Sequence, residues 1–480
     1  MQEHGTEMKQ TAAFLITAFL VFVFSAAALA EIPQGSLPLQ KTDSAALQKQ
    51  KTEYNDTYHT LFSVIASAAA YEPENSEEVF YLRDHGWAFT PRVATEGKTT
   101  VHFLTAKSRM ADGTPLYVIA FRGSADKKDW AADFKTGQVV YGGATLTEAK
   151  IAALRRRRTK PEAAAEAKPL PKVHKGFHEY ANAALRELLA SEPEGFLEEY
   201  RNTKGARLLL TGHSLGGAVA TIVGQRLIDF GFDAARIQVI TFGAPAVANK
   251  TFRQMYGDRL NLIRVVNTAD PVPLTLQAVL RNYKQFGKEV RFRIPRTTSD
   301  MTHFMNLYLD AGLRNYYQYF DKRMETSITQ EWPDVMERDK EKPTVLLYVK
   351  EHSSGTAKVK EVMPVLQRFM LNEYKALFPN YIVIRDPEDP AKAMETDKAE
   401  YLLELEFEAN ASREDNSWFL SLTQTLADKE GTVLAMGSVA RRTSPEAGNI
   451  LAAMEAVRKQ KAELKTQLPW LYEDKLCADE

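Results

Sequence analysis

The chain has 480 residues, more than one ordinary domain needs, and its 44% apolar and 26% charged residues are the balance of a globular protein with a sizeable core. A net charge of -1 gives it no electrostatic hold on a polyanion, which argues against a nucleic-acid partner. A single cysteine, Cys477, excludes an intrachain disulfide, so stability has to come from burial.

The first segment reads as an address. Lys9 precedes an apolar stretch, Thr11 to Ala30, whose end Ala28-Leu29-Ala30 has the small-x-small pattern of signal-peptide cleavage before Glu31. A secreted or periplasmic protein is expected, with residues 1–30 removed. The stretch approaches the length of a bilayer span, so an N-terminal membrane anchor is the alternative. Met8 and Lys9 make a more usual signal start than Met1, and no cysteine follows the apolar run to carry a lipid.

Leu116 to Phe121, LYVIAF, is a continuous apolar run of the kind shown by a strand covered on both faces. It ends in Arg122, Gly123 and Ser124. Leu154 to Lys172 is rich in Ala, Pro and charge without apolar period, and reads as a flexible insertion. Its arginines Arg155 to Arg158 would suit transient contact with anionic lipid headgroups. A merely solvated loop competes with that reading.

Leu208 to Ala220, LLLTGHSLGGAVA, runs from an apolar strand through Gly-x-Ser-x-Gly into a small-residue helix. Such a turn is pinched so tightly between strand and helix that only glycine fits at Gly212 and Gly216, which lifts the Ser214 hydroxyl clear at a helix N-terminus. A nucleophilic serine needs a base, an acid to orient it and donors for the oxyanion. The expected chain order is Ser, then Asp or Glu, then His. Only His303 and His352 follow Ser214, and His303 is preferred because it sits where a loop enters an amphipathic helix. A histidine that only caps that helix is the competing reading. Asp270 stands at the end of the strand-like run Ile263 to Asn267, followed by Pro271, Val272 and Pro273, where open α/β sheets gather reactive groups. Asp229, Asp233 and Asp258 fall on helix or surface-loop stretches and read as solvated carboxylates. The oxyanion donors are expected to be the N–H of Leu215 and that of Ser124, against an ordinary βα turn at Ser124.

These passages, with AFRGS at 120–124 and Asp129, Trp130 and Asp133 behind it, VHKGF at 173–177, TFGAP at 241–245, NTADPVP at 267–273 and YKQFGKEV at 283–290, resemble the class 3 (fungal-type) lipase family of the α/β-hydrolase fold over roughly residues 45 to 325. The resemblance implies a mostly parallel sheet flanked by helices, with Ser214, Asp270 and His303 as triad and Ser124 and Leu215 as oxyanion hole. It also implies a lid helix at 125–134 anchored by Trp130, with Asp133 beside it, a lipid ester substrate, and neither metal nor cofactor. His174 becomes a structural or supporting histidine, and His213 receives no catalytic role, its side chain expected to point away from substrate. The lid stretch ADKKDW is short and polar, which leaves soluble short-chain esters open.

A helical pattern from Phe304 to about Lys322 closes the hydrolase domain, placed at 31–335, and Met336 to Pro343 reads as a linker. A smaller α+β domain is expected over 343–480, with helices at about 364–377 and 445–467 on one face of a largely antiparallel sheet. Its partner is not legible. The leading expectation is a serine carboxyl-ester hydrolase acting on acylglycerols or related lipid esters. Phospholipase A1 or a short-chain esterase is the alternative, and a non-catalytic envelope-binding protein with an occluded site is the reading from another class.

Overall fold

The computed structural model describes residues 44–109, 113–124, 137–143, 169–190, 195–279, 282–292, 302–323, 334–351, 357–386, 388–412, 417–443, 448–468 and 470. The leader at 1–30, the lid stretch 125–134 with Trp130 and Asp133, His352 and most of the insertion at 154–172 lie outside the described residues.

Helices α1 (Ser44–Ala69) and α2 (Glu77–Asp84) precede strands β1 (Ala88–Glu96), β2 (Thr99–Arg109) and β3 (Pro115–Phe121). A small hairpin, β4 (Gln138–Val140) with β5 (Lys172–His174), leads to α3 (Lys175–Ala190), α4 (Phe196–Asn202), β6 (Arg207–His213) and α5 (Leu215–Asp229). There follow β7 (Ile237–Phe242), α6 (Lys250–Tyr256), β8 (Asn261–Asn267), α7 (Val272–Val279), β9 (Lys288–Phe292) and α8 (Met305–Arg323). The first sheet has the order β1-β2-β3-β6-β7-β8-β9. From β3 to β9 neighbouring strands are parallel, and β1 and β2 add an antiparallel edge. This is the α/β-hydrolase arrangement.

The apolar runs of the sequence follow from helices on both faces. In β6, Leu208 and Leu210 join the cluster under α3 and α5, while Leu209 between them joins the opposite cluster under α1 and α8. A period of two therefore vanishes from the sequence, because both of its phases are buried.

The second sheet, β10-β12-β11-β13-β14-β15, is built from β10 (Val335–Glu337), β11 (Thr344–Glu351), β12 (Asn380–Arg385), β13 (Tyr401–Ala411), β14 (Trp418–Asp428) and β15 (Val433–Thr443), with helices α9 (Ala357–Leu377), α10 (Pro390–Asp397) and α11 (Asn449–Gln467). One expectation changes here. The stretch 336–343 is no free linker: β10 pairs with β12, and the Asn380 side chain accepts from the N–H groups of Arg338 and Asp339 and donates to the Lys342 carbonyl. The sheet is largely antiparallel, as expected, but β11 is parallel to both β12 and β13. The two expected helices, α9 and α11, share the face of Val345, Leu347 and Val349, and a further helix, α10, covers Leu346, Tyr348 and Ile384 on the other. Helix α9 also begins before Pro364, which is exposed, so the carbonyl it leaves without a backbone donor can turn to water.

The two sheets share one apolar cluster through α1, α2, α8, α9 and α11. Polar contacts reinforce the junction. Arg458 holds Glu77 in a bidentate pair, and Glu373 accepts from His85 at 3.0 Å and Lys461 at 3.2 Å. Asp310 of α8 accepts from the N–H groups of Asn449 and Ile450, capping α11 from the other half of the chain.

Candidate active site

Strand β6 delivers the chain into the elbow. A Cβ on Gly212 would come within 2.3 Å of the Gly216 backbone, and one on Gly216 within 2.1 Å of the Phe121 carbonyl oxygen, so neither position admits a side chain. Ser214 between them is held at φ 56°, a backbone conformation that costs a non-glycine residue roughly 1–3 kcal/mol. Its N–H donates to the Phe242 carbonyl at 2.9 Å, and α5 starts at Leu215.

Strand β8 ends at Asn267, and the loop beyond it presents Asp270, which is 4% exposed. Oδ1 of Asp270 accepts the Val272 N–H at 2.9 Å, which fixes the carboxylate at the start of α7. Asn267 and Thr302 tie this loop to the one bearing His303: Asn267 Nδ2 donates to the Thr302 carbonyl at 3.2 Å and Thr302 Oγ1 to the Ala269 carbonyl at 2.5 Å. His303 Nδ1 lies 2.6 Å from Asp270 Oδ2, and His303 Nε2 lies 2.8 Å from Ser214 Oγ. The carboxylate can only accept, so Nδ1 carries the proton and Nε2 is left to accept the serine hydroxyl. Ser214, Asp270 and His303 are thus brought into one hydrogen-bonded line, and His303 does not merely cap α8.

Ser124 follows the end of β3, and Leu215 begins α5 directly after Ser214. The end of β3 packs on the elbow so closely that Gly216 faces Phe121 and Arg122, and Gly123 faces the His213 carbonyl. The Leu215 N–H, in the first turn of α5, has no carbonyl four residues back within its helix, and the helix dipole favours negative charge there.

Further residues belong to the site. Tyr308, on α8, donates its hydroxyl to Asp270 Oδ2 at 2.6 Å and accepts the Asn267 N–H at 3.0 Å. Burial and the adjacent carboxylate push the Tyr308 phenol well above its ordinary pKa, which keeps it a donor. Gly243 takes φ +58°, and a Cβ there would meet Asp270 Oδ2 at 2.8 Å and His303 Cε1 at 3.0 Å. The glycine of TFGAP is the signal that could have pointed to it. The His213 ring lies 4.6 Å from that of His303, and its Nδ1 is 2.8 Å from the Tyr71 hydroxyl. His174 is elsewhere, fully buried, stacked on Phe177 and accepting that residue's N–H at the start of α3. Burial holds its pKa down to about 4, so it stays neutral. Among the described residues no group of three His, Cys, Asp or Glu side chains is arranged to hold a metal ion.

A buried serine on a glycine elbow, aligned with a histidine and a carboxylate in this chain order, defines the serine-hydrolase class of α/β-hydrolase folds. Residues 118–280 match the family model described as Lipase (class 3). The chain is 26% identical over 204 residues to LIH1 of Saccharomyces cerevisiae, covering 42% of this chain and 55% of that protein. It is 25% identical over 171 residues to phospholipase A1-II 4 of Oryza sativa subsp. japonica, covering 32% and 39%. The chain thus spans about half or less of the length of these curated relatives. The solved structure of Rhizomucor miehei triacylglyceride lipase is 21% identical with a TM-score of 0.38, covering 52% of this chain and 82% of that one.

Proposed function

We propose that the protein is a serine carboxyl-ester hydrolase acting on acylglycerols or related lipid esters through an acyl-enzyme. The observation that carries this reading is the line Ser214 Oγ, His303 Nε2, His303 Nδ1, Asp270 Oδ2, with contacts of 2.8 and 2.6 Å. Ser214 attacks the ester carbonyl as its proton passes to His303, and Asp270 holds the resulting imidazolium. The oxyanion rests on the N–H groups of Leu215 and Ser124. His303 returns the proton to the leaving alcohol, and water then repeats the sequence on the acyl-enzyme to release the acid. The lid stretch with Trp130 and Asp133 and a cleaved leader ending at Ala30 belong to the proposal, which places the mature protein outside the cytoplasm.

Hydrolysis of p-nitrophenyl esters by the wild type and by Ser214→Ala and Asp270→Asn tests it. Loss of about three to four orders of magnitude in kcat is expected for Asp270→Asn, and at least as much for Ser214→Ala. Equal rates in wild type and Ser214→Ala would remove the assignment, and failure of a fluorophosphonate to label Ser214 would favour a non-catalytic binding protein. The mass of the exported protein's N-terminal peptide, expected to begin at Glu31, tests the leader.

A second reading, phospholipase A1, is favoured by the similarity to the rice phospholipase A1-II 4. Fatty-acid release from phospholipid vesicles against triacylglycerol emulsions decides between the two.

A further inference from the structure

Tyr71 follows the end of α1, 142 residues before the histidine it touches, and no motif marks it. Its hydroxyl lies 2.8 Å from His213 Nδ1 on one side. On the other it lies against the backbone of Gly123, so closely that a Cβ there would come within 2.2 Å of it, and the Gly123 N–H is directed at it. Both residues that meet around this phenol stand one step before a residue of the site, Gly123 before Ser124 and His213 before Ser214, and the His213 ring lies 4.6 Å from that of His303, tilted by 32°.

Donor and acceptor accounting orders the contacts. A backbone N–H can only donate, so the Tyr71 oxygen accepts from Gly123 and has one proton to give, for which His213 Nδ1 is the acceptor at hydrogen-bond distance. The imidazole proton of His213 then sits on Nε2, a buried nitrogen that faces the His303 backbone without a hydrogen bond of normal geometry. With Nδ1 occupied and the ring buried, His213 has no place for a second proton. Charge developing during ester cleavage is confined to His303, and the like-charged pair that two stacked imidazoliums would form is avoided.

We propose that Tyr71 is a positioning residue for ester hydrolysis, its hydroxyl clamping the oxyanion loop at Gly123 to the elbow at His213 and fixing His213 as the neutral Nε2–H tautomer beneath the base. The proposal rests on the ester-hydrolase reading above.

Two measurements test it. In Tyr71→Phe, which keeps the ring and removes the clamp, kcat on a p-nitrophenyl ester falls about tenfold with KM within about twofold, the loss expected when one hydrogen bond is removed from the aligned state. His213→Asn, whose Oδ1 stands where Nδ1 stood, retains most of the wild-type kcat, whereas His213→Phe loses as much as Tyr71→Phe, and the double variant Tyr71→Phe/His213→Phe loses no more than either. A kcat of Tyr71→Phe within twofold of wild type, or a change confined to KM, overturns the proposal while the Ser214→Ala comparison leaves the hydrolase reading standing. A wild type without esterase activity sinks that reading instead. Independently of any variant, nitrogen NMR of histidine-labelled wild type reads the tautomer: a neutral Nε2–H ring at pH 6 supports the clamp, and an Nδ1–H ring or an imidazolium overturns it.

Discussion

Tyr308 donates its hydroxyl to Oδ2 of Asp270 at 2.6 Å, the same oxygen that receives Nδ1 of His303. Two donors thus fix one carboxylate oxygen while Val272 fixes the other, and the carboxylate cannot rotate without breaking one of them. Tyr308→Phe is expected to lower kcat about tenfold with little change in KM, and to cost about 1–3 kcal/mol of stability because the buried Asn267 N–H loses its acceptor. Steady-state kinetics beside thermal denaturation check both halves; a stability loss with kcat unchanged would mean that the phenol only fills space.

Gly216→Ala tests the tightness of the elbow. The obstruction is backbone on both sides, Phe121 and Arg122, and not the far end of a side chain that could move aside. The destabilisation is therefore expected at or above about 3 kcal/mol, the upper end for overpacking. Chemical denaturation of the purified variant, or its absence from the soluble fraction, reads this out, and a stable, active Gly216→Ala would contradict the geometry.

Acid should destabilise the protein through its buried histidines. Burial holds the pKa of His174 and of His178 down to about 4, with Arg226 adding to the effect at His178, while the unfolded chain takes up these protons near 6.5. For a depressed histidine the stabilisation is complete above the unfolded value and is lost as pH falls from about 6.5 towards 4, by at most roughly 3 kcal/mol per residue from linkage. The midpoint of thermal unfolding, followed from pH 7.5 to 4.5, should fall, and replacing both residues by uncharged ones should flatten the slope. An unchanged slope would place the acid sensitivity elsewhere.

Asp310→Ala removes a cap that belongs to another part of the chain. The N–H groups of Asn449 and Ile450 lose their acceptor, and a loss of about 1–2 kcal/mol is expected. Hydrogen exchange at these two amides should accelerate well beyond that of the β14 amides, whereas uniform exchange across α11 and the second sheet would show the cap to be dispensable.

What could be read from the chain were the features written locally. The elbow glycines, the strand end before Asp270 and the loop before α8 each carry their reason in neighbouring residues, and the chain order of serine, acid and histidine linked them. Tyr71, Tyr308 and His213 could not be read this way. Tyr308 is indistinguishable from the core aromatics Tyr316 and Tyr317 of the same helix, and Tyr71 acquires its contact only when α1 folds onto β6. In the second sheet, β10 escaped notice because a three-residue edge strand has no periodicity to show, and its hold comes from Asn380, 42 residues after Arg338. Helix α10 did carry a local sign, Asp389 capping before Pro390, within a stretch otherwise too polar to show an apolar face.

The cap that Asp310 places on α11 also sets an order in time. During synthesis the sheet up to β8 and the elbow have emerged long before residue 449, yet the helix that begins two residues after His303 also leans on later chain, with Asn372 of α9 donating to the Tyr317 hydroxyl and α11 starting on Asp310. A nascent chain therefore carries its serine early, and the helix that follows His303 gains its last partner only when α11 has emerged.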